Sequence, residues 1–156
     1  MTKILNIAVD AMGGEGSPKK TIDGIIHHSK STKNINYNIF GNEKEISELI
    51  KGLKGNSFKI FDTKEKILDT DSPLSAARKG KNSSMWKAIE SVKSKESDII
   101  TSAGNTGALF VIAKMNLEMI ENIDKPALSA LWPNKSGMNV VLDLGANIEC
   151  NEKNLT

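Results

Sequence analysis

The 156-residue chain carries 21 basic and 19 acidic side chains, with 38% hydrophobic and 26% charged residues, for a formal charge of +2. Such a balance belongs to an ordinary globular domain and excludes a peptide, a coiled coil and a fibrous repeat. Twenty of the 21 cations are lysines dispersed among glutamates and only Arg78 is an arginine, which argues against a nucleic-acid reader, for which the planar guanidinium is the preferred tool.

The longest apolar stretch, 108–120, is interrupted by Lys114, Asn116 and Glu118, too short and too charged for a membrane span. The first ten residues lack the apolar run and cleavage site of a signal peptide. Cys150 is the sole cysteine, so an intrachain disulfide and a cysteine-based zinc cage are excluded. These features together predict a cytoplasmic protein.

Taken in chain order, residues 4–10 (ILNIAVD) read as a strand that breaks into the glycine-rich turn 11–17. Ser17 is the expected N-cap of a following helix with Pro18 in its first turn, and Ile22, Ile25 and Ile26 fall at helical spacing. Residues 35–40 read as a second strand and 43–53 as an amphipathic helix, with Ile46, Leu49, Ile50 and Leu53 at i, i+3, i+4 and i+7. A short strand at 58–61 precedes a polar region, 62–81, expected to be a long loop holding one short helix. A connection of that length in a compact domain is often functional. Helix resumes near Ser84, and 98–102 (DIITS) reads as a buried strand. A second glycine turn, Ala103-Gly104-Asn105-Thr106-Gly107, leads into an apolar helix over 108–120, also expected to be buried. Residues 127–132 and 139–144 read as two further strands separated by a turn at 133–137.

Strands alternating with helices at this spacing predict one α/β domain over 1–156, doubly wound, with a mostly parallel sheet and helices on both faces. Only a polar tail follows the turn Gly145-Ala146-Asn147, where a parallel sheet needs a covering helix. Either a partner covers that face or the sequence continues.

In open α/β sheets ligands bind beyond the carboxyl ends of the strands, and three polar turns are expected to converge there: 10–17, 102–107 and 143–147. The second is the best candidate anion site. Gly104 and Gly107 allow close backbone approach, the helix that follows offers N–H groups, and Ser102, Asn105 and Thr106 add side-chain donors. The alternative is a plain strand-to-helix turn with Thr106 as cap. Gly13 and Gly14 lie in the first turn, but its spacing fits neither a dinucleotide fingerprint nor a Walker loop. The cluster Arg78-Lys79-Gly80-Lys81-Asn82-Ser83-Ser84 suits a phosphate or, read structurally, is a solvated basic loop with Ser83 as N-cap. Asp10 and Asp143 each end a strand, where a carboxylate serves as base, metal ligand or orienter, or accepts backbone N–H bonds from its own turn. His27 and His28, adjacent on a helix, are assigned to the surface.

The segments Ile7-Ala-Val-Asp-Ala-Met-Gly-Gly14, Arg78-Lys-Gly-Lys-Asn-Ser-Ser-Met85, Ser102-Ala-Gly-Asn-Thr-Gly-Ala108, Lys125-Pro-Ala127 and Leu142-Asp-Leu-Gly-Ala-Asn147, in that order and spacing, resemble the PlsX family of phosphate acyltransferases. Their joint occurrence covers nearly the whole chain and is highly specific, whereas each motif alone is weak. The resemblance implies transfer of a fatty acyl group from acyl-acyl-carrier-protein to inorganic phosphate, giving acyl phosphate for phospholipid synthesis, on a fold similar to phosphotransacetylases. It also implies a homodimer, a peripheral link to the inner membrane through a membrane acyltransferase partner or the absent second half, and a family length about twice this one, which makes the chain an N-terminal half. Use of acyl-coenzyme A, or a non-catalytic phosphate-binding fragment, are the alternatives.

On this reading Gly104, Asn105 and Thr106 hold phosphate, assisted by Lys81, Ser83, Ser84, Ser102, Gly107, Gly13 and Gly14. Asn105 or Asn147 donates to the tetrahedral oxyanion, and Asp10 and Asp143 position these groups. A thioester is already activated, so no metal or organic cofactor is required.

Overall fold

A computed structural model describes residues 4–51, 57–123 and 125–144. The chain divides into two compact units, Met1–Asn116 and Leu117–Thr156, where the sequence reading expects one domain.

The first unit opens with β1 (Leu5–Asp10), α1 (Lys19–Ser31), β2 (Ile35–Gly41), α2 (Glu43–Leu49) and β3 (Ser57–Asp62). It continues with α3 (Pro73–Lys79), α4 (Ser84–Lys93), β4 (Ile99–Ser102) and α5 (Thr106–Asn116). The four strands are all parallel in the order β3-β2-β1-β4. This is the expected α/β fold, and its strand order reverses direction between β1 and β4, which makes their carboxyl ends the topological switch point.

Alternation along the strands separates two apolar layers. Val9 and Ala11 of the first strand and its exit, with Tyr37 and Ile39 of β2, pack with Ile22 and Ile25 of α1 and Ile46 of α2. Ala8 and Phe40 face the other way and pack with Ala88 of α4, so helices cover both faces. Phe40 stacks on Phe61 at 4.6 Å between ring centres, and Tyr37 on Phe58 at 5.5 Å. Burial pushes the Tyr37 phenol above its ordinary range, while its hydroxyl meets His28 Nδ1 at 2.7 Å. His27 and His28 lie on the exposed side of α1, as expected.

Several expectations are corrected. Ser17 does not cap α1. Pro18 occupies the cap position without a side-chain bond, and the Ser17 hydroxyl instead donates to the Gly13 carbonyl and meets Thr21 Oγ1 at 3.0 Å. β4 is an edge strand, not a buried one, because β1 is its only neighbour among the described strands; Ile99 is 52% exposed. In α5, only Ala108 and Ile112 are buried and Met115 is 57% exposed, because the helix packs against α3 and α4 and leaves its other sides uncovered within this unit. The short helix expected in the long loop is α3, with Pro73 in its first turn.

The second unit contains the hairpin β5 (Ser129–Asn134) and β6 (Gly137–Leu142), an antiparallel pair in a sheet of its own. Both strands were expected, but as members of a mostly parallel sheet. Parallel neighbours need a crossover of about a dozen residues or more, and only Lys135 and Ser136 separate these strands. Ser136 N–H donates to Asn134 Oδ1 at 2.7 Å, closing the turn. Among the described residues no helix is long and apolar enough to cross a membrane.

Candidate functional site

β1 and β4 are in parallel register with Asp10 opposite Ser102, so the two side chains leave the switch point on the same face of the sheet. Asp10 is 1% exposed, and a carboxylate so deeply buried demands compensation. It receives four donors. The Ser84 hydroxyl donates to Oδ1 at 2.6 Å and the Ser102 hydroxyl to Oδ2 at 2.7 Å, while the Met12 and Gly13 N–H groups donate to Oδ1 at 3.3 and 3.2 Å. Ser84 is the first residue of α4, so the anion also sits at a helix N-terminus, where the macrodipole favours negative charge.

The carboxylate thus ties the ends of β1 and β4 to the start of α4. Oδ1 takes three of the donors and Oδ2 one, which suits an orienting group. One of the readings open from sequence, a carboxylate accepting N–H bonds from its own turn, is realised in the Met12 and Gly13 contacts. Ser102 passes the constraint onward. While its hydroxyl donates a hydrogen bond to Asp10, its oxygen accepts the Gly104 N–H at 3.1 Å, setting the turn that leads into α5.

The first two glycine turns meet, as expected. A Cβ placed on Gly13 would lie 2.9 Å from Gly104 N and 3.0 Å from Gly104 Cα. Gly14 has φ of +84°, and a Cβ there would lie 2.6 Å from the Ala103 carbonyl oxygen. Glycine is therefore required at both positions, by close approach at Gly13 and by both approach and backbone conformation at Gly14.

At the start of α5, Asn105 is the capping residue, in place of the alternative cap Thr106. Its Oδ1 accepts the Ala108 N–H at 2.9 Å. Its amide nitrogen faces three carbonyls of the long loop, Leu68 at 3.3 Å, Asp69 at 3.2 Å and Asp71 at 2.9 Å. An amide carries two N–H groups, so in this structure the donor is engaged with the loop, whereas the sequence reading has Asn105 donating to a phosphate or an oxyanion. Thr106 and Gly107 lie in the first turn of α5, where a helix supplies no partner for backbone N–H groups, and the Thr106 side chain is exposed.

The basic cluster is divided. Arg78 and Lys79 are exposed in the last turn of α3, where cations complement the helix dipole. Lys81 is exposed between α3 and α4. Ser83 is buried and caps α4: its hydroxyl donates to the Gly80 carbonyl at 2.6 Å and accepts from Trp86 N–H at 3.3 Å. Both Ser83 and Ser84, expected as phosphate ligands, therefore spend their hydroxyls on the protein; Ser84 acts through Asp10. Asp143 follows β6 in the second unit with φ of +56°. Gly145, Ala146 and Asn147 lie outside the described residues.

Sequence reasoning missed the groups that wall this region. Pro73 lies where a Cβ on Gly107 would come within 2.7 Å of its Cγ, and Met85 reaches within 3.0 Å of the corresponding Gly104 position. The Asp69-Thr70-Asp71-Ser72-Pro73 run marked the loop as unusual, but nothing local showed which turn it would meet.

Residues 5–156 match the family described as "Fatty acid synthesis protein". Proteins named "Phosphate acyltransferase" are similar over almost the entire chain. That of Pelagibacter ubique (strain HTCC1062) is 66% identical over 155 residues, covering 99% of this chain and 46% of the relative. Those of Rhodospirillum rubrum and Maricaulis maris are each 41% identical, covering 99% of this chain and 45% of the relative. The chain therefore spans about half the length of the curated relatives it matches. With residues 5–156 matched and relatives 66% and 41% identical over almost the entire chain, the chain belongs to the family described as "Fatty acid synthesis protein".

Proposed function

We propose that the chain is the phosphate-holding part of an acyltransferase that moves a fatty acyl group from acyl-acyl-carrier-protein to inorganic phosphate. The observation that carries this reading is the start of α5, with Gly104, Thr106 and Gly107 at the switch point and fixed to β1 through Ser102 and Asp10. Backbone N–H groups at a helix start hold phosphate without adding a full positive charge. That matters chemically, because the bound phosphate is the nucleophile. An oxygen of hydrogen phosphate attacks the thioester carbonyl, the tetrahedral adduct collapses with cleavage of the C–S bond, and the proton given up by the phosphate goes to the expelled thiolate, so the products are acyl phosphate and the carrier thiol. Holding the nucleophile in line supplies most of what such a reaction needs.

In this reading Thr106 and Gly107 contact phosphate and exposed Lys81 adds distant attraction. Asp10, Ser84 and Ser102 hold the turn in place. The test has two stages. Inorganic phosphate is titrated into the chain by calorimetry. Acyl-carrier-protein and acyl-coenzyme A thioesters are then supplied side by side, and acyl phosphate is trapped with hydroxylamine as the hydroxamate. Saturable phosphate binding with hydroxamate formed from the carrier-protein donor is the expected result. Binding without hydroxamate from either donor would make the chain a phosphate-binding fragment, and no binding would remove the site.

A further inference from the structure

Asn105 was expected to touch substrate, yet every polar atom of its side chain is spent inside the protein. Its amide nitrogen reaches the carbonyls of Leu68, Asp69 and Asp71 at 3.2–3.3 Å and 2.9 Å. The segment it grasps is itself a closed turn: Leu68 N–H donates to Asp71 Oδ2 at 2.9 Å and Asp71 N–H to the Leu68 carbonyl at 3.1 Å. Two residues later Pro73 opens α3, and it is against Pro73 that Gly107 packs without room for a side chain. The far end of the same connection is held separately, by the Thr63 hydroxyl donating to the Asn82 carbonyl and by Ser84 N–H donating to the Glu65 carbonyl at 3.0 Å. Among the described residues, the three contacts that reach from the 68–71 turn to the start of α5 all run through the Asn105 side chain.

From this geometry we infer that Asn105 is a latch: it fastens the 68–71 turn to the start of α5, and the latched turn sets Pro73 beside Gly107 as one wall of the phosphate site. Asn105 is then a positioning residue and not a ligand. The proposal rests on the phosphate reading above for its functional half, while its structural half stands on the hydrogen bonds alone.

The two halves of the side chain do different work, and chemistry can separate them. Asn105→Asp keeps an oxygen to cap Ala108 N–H but replaces the donor with a carboxylate facing three carbonyls. Asn105→Ala removes both. The experiment compares wild-type chain and both variants by amide hydrogen exchange, followed separately over 68–71 and over 109–112, and by titration with inorganic phosphate.

For Asn105→Asp, exchange over 68–71 is expected to rise about tenfold or more, exchange over 109–112 to stay at the wild-type rate, and phosphate to bind at least about tenfold more weakly. Asn105→Ala is expected to accelerate both segments. Unchanged exchange over 68–71 in Asn105→Asp overturns the latch. Faster exchange there with wild-type phosphate affinity overturns its link to the site. Weaker phosphate binding with both segments unchanged returns Asn105 to direct contact and overturns the proposal. If wild-type chain binds no phosphate, the functional half falls together with the reading it rests on, and the exchange data still decide the structural half.

Discussion

Gly13→Ala is the most exacting probe of how the two glycine turns meet. The added methyl would lie 2.5 Å from Asp10 Oδ2, 2.9 Å from Gly104 N and 3.0 Å from Gly104 Cα, where ordinary contact begins at 3.4 Å. The carboxylate oxygen must therefore retreat by about 0.9 Å. Two of the three neighbours are backbone, and the third is an oxygen held by Ser102 at 2.7 Å. A retreat of that size sacrifices the Ser102 hydroxyl bond made to this same oxygen, Asp10 Oδ2. Overpacking costs about 1–3 kcal/mol and a lost bond to a charged group about 1.5–3 kcal/mol; because relaxation relieves one at the expense of the other, the expected total is about 2–4 kcal/mol. Urea unfolding followed through Trp86, buried on α4, is then expected to lose about 1–2 M of midpoint at unchanged slope. Gly24→Ala is the control: it lies in α1, its Cβ would meet nothing within 4 Å, and alanine there is expected to stabilise by about 0.5–1 kcal/mol. A Gly13→Ala protein within about 0.5 kcal/mol of wild type would refute the close approach of the turns.

Ser84→Ala removes a buried 2.6 Å bond to the Asp10 carboxylate and is expected to cost about 1.5–3 kcal/mol, read by the same urea midpoint; a shift below about 0.5 kcal/mol would mean Asp10 does not depend on it. Tyr37 provides a pH test. Its phenol is raised above 10.0 by burial, so the native state keeps a proton that the unfolded chain has released. The corresponding stability is intact below pH 10.0 and is lost as pH rises through the folded value. Thermal midpoints between roughly pH 10 and 11 are expected to fall more steeply for wild type than for Tyr37→Phe, and parallel slopes would contradict the linkage.

Much of the scaffold was legible because its signals are local. The run 4–10 ends in Asp10, with Gly13 and Gly14 three and four residues on, and such a run reads as a strand that stops in a turn. Asp10 was therefore placed correctly at a strand end. Its partners were not legible, because Ser84 and Ser102 lie 74 and 92 residues away, and register across a parallel sheet is not written in either segment alone. The loop contacts of Asn105 were hidden for the same reason in a sharper form. Its residue type and its place before a helix fit a ligand donor and a cap equally well, and the loop carbonyls that its amide meets lie 34 to 37 residues earlier. The misjudged burial of β4 and α5 has another origin. Apolar composition records what an element is able to bury, whereas position at the sheet edge governs what is available to cover it within the unit.

The placement of charge gives the site its logic. A buried carboxylate beside the turn proposed to hold phosphate would ordinarily repel the anion, since two like charges in a protein interior interact strongly. Here Asp10 is answered locally, by two hydroxyls, two backbone N–H groups and the start of α4. Two helices begin near the switch point, and the first, α4, is spent on the protein's own anion. The second, α5, has Ala108 N–H capped by Asn105 and Gly104 N–H held by Ser102, and Thr106 and Gly107 in its first turn are the donors the proposed phosphate site would use. The carboxylate thus shapes the site while its charge is compensated elsewhere. Replacing Asp10 with a neutral residue would save a desolvation cost but would also release both serines, and with them the geometry of the turn that α5 presents.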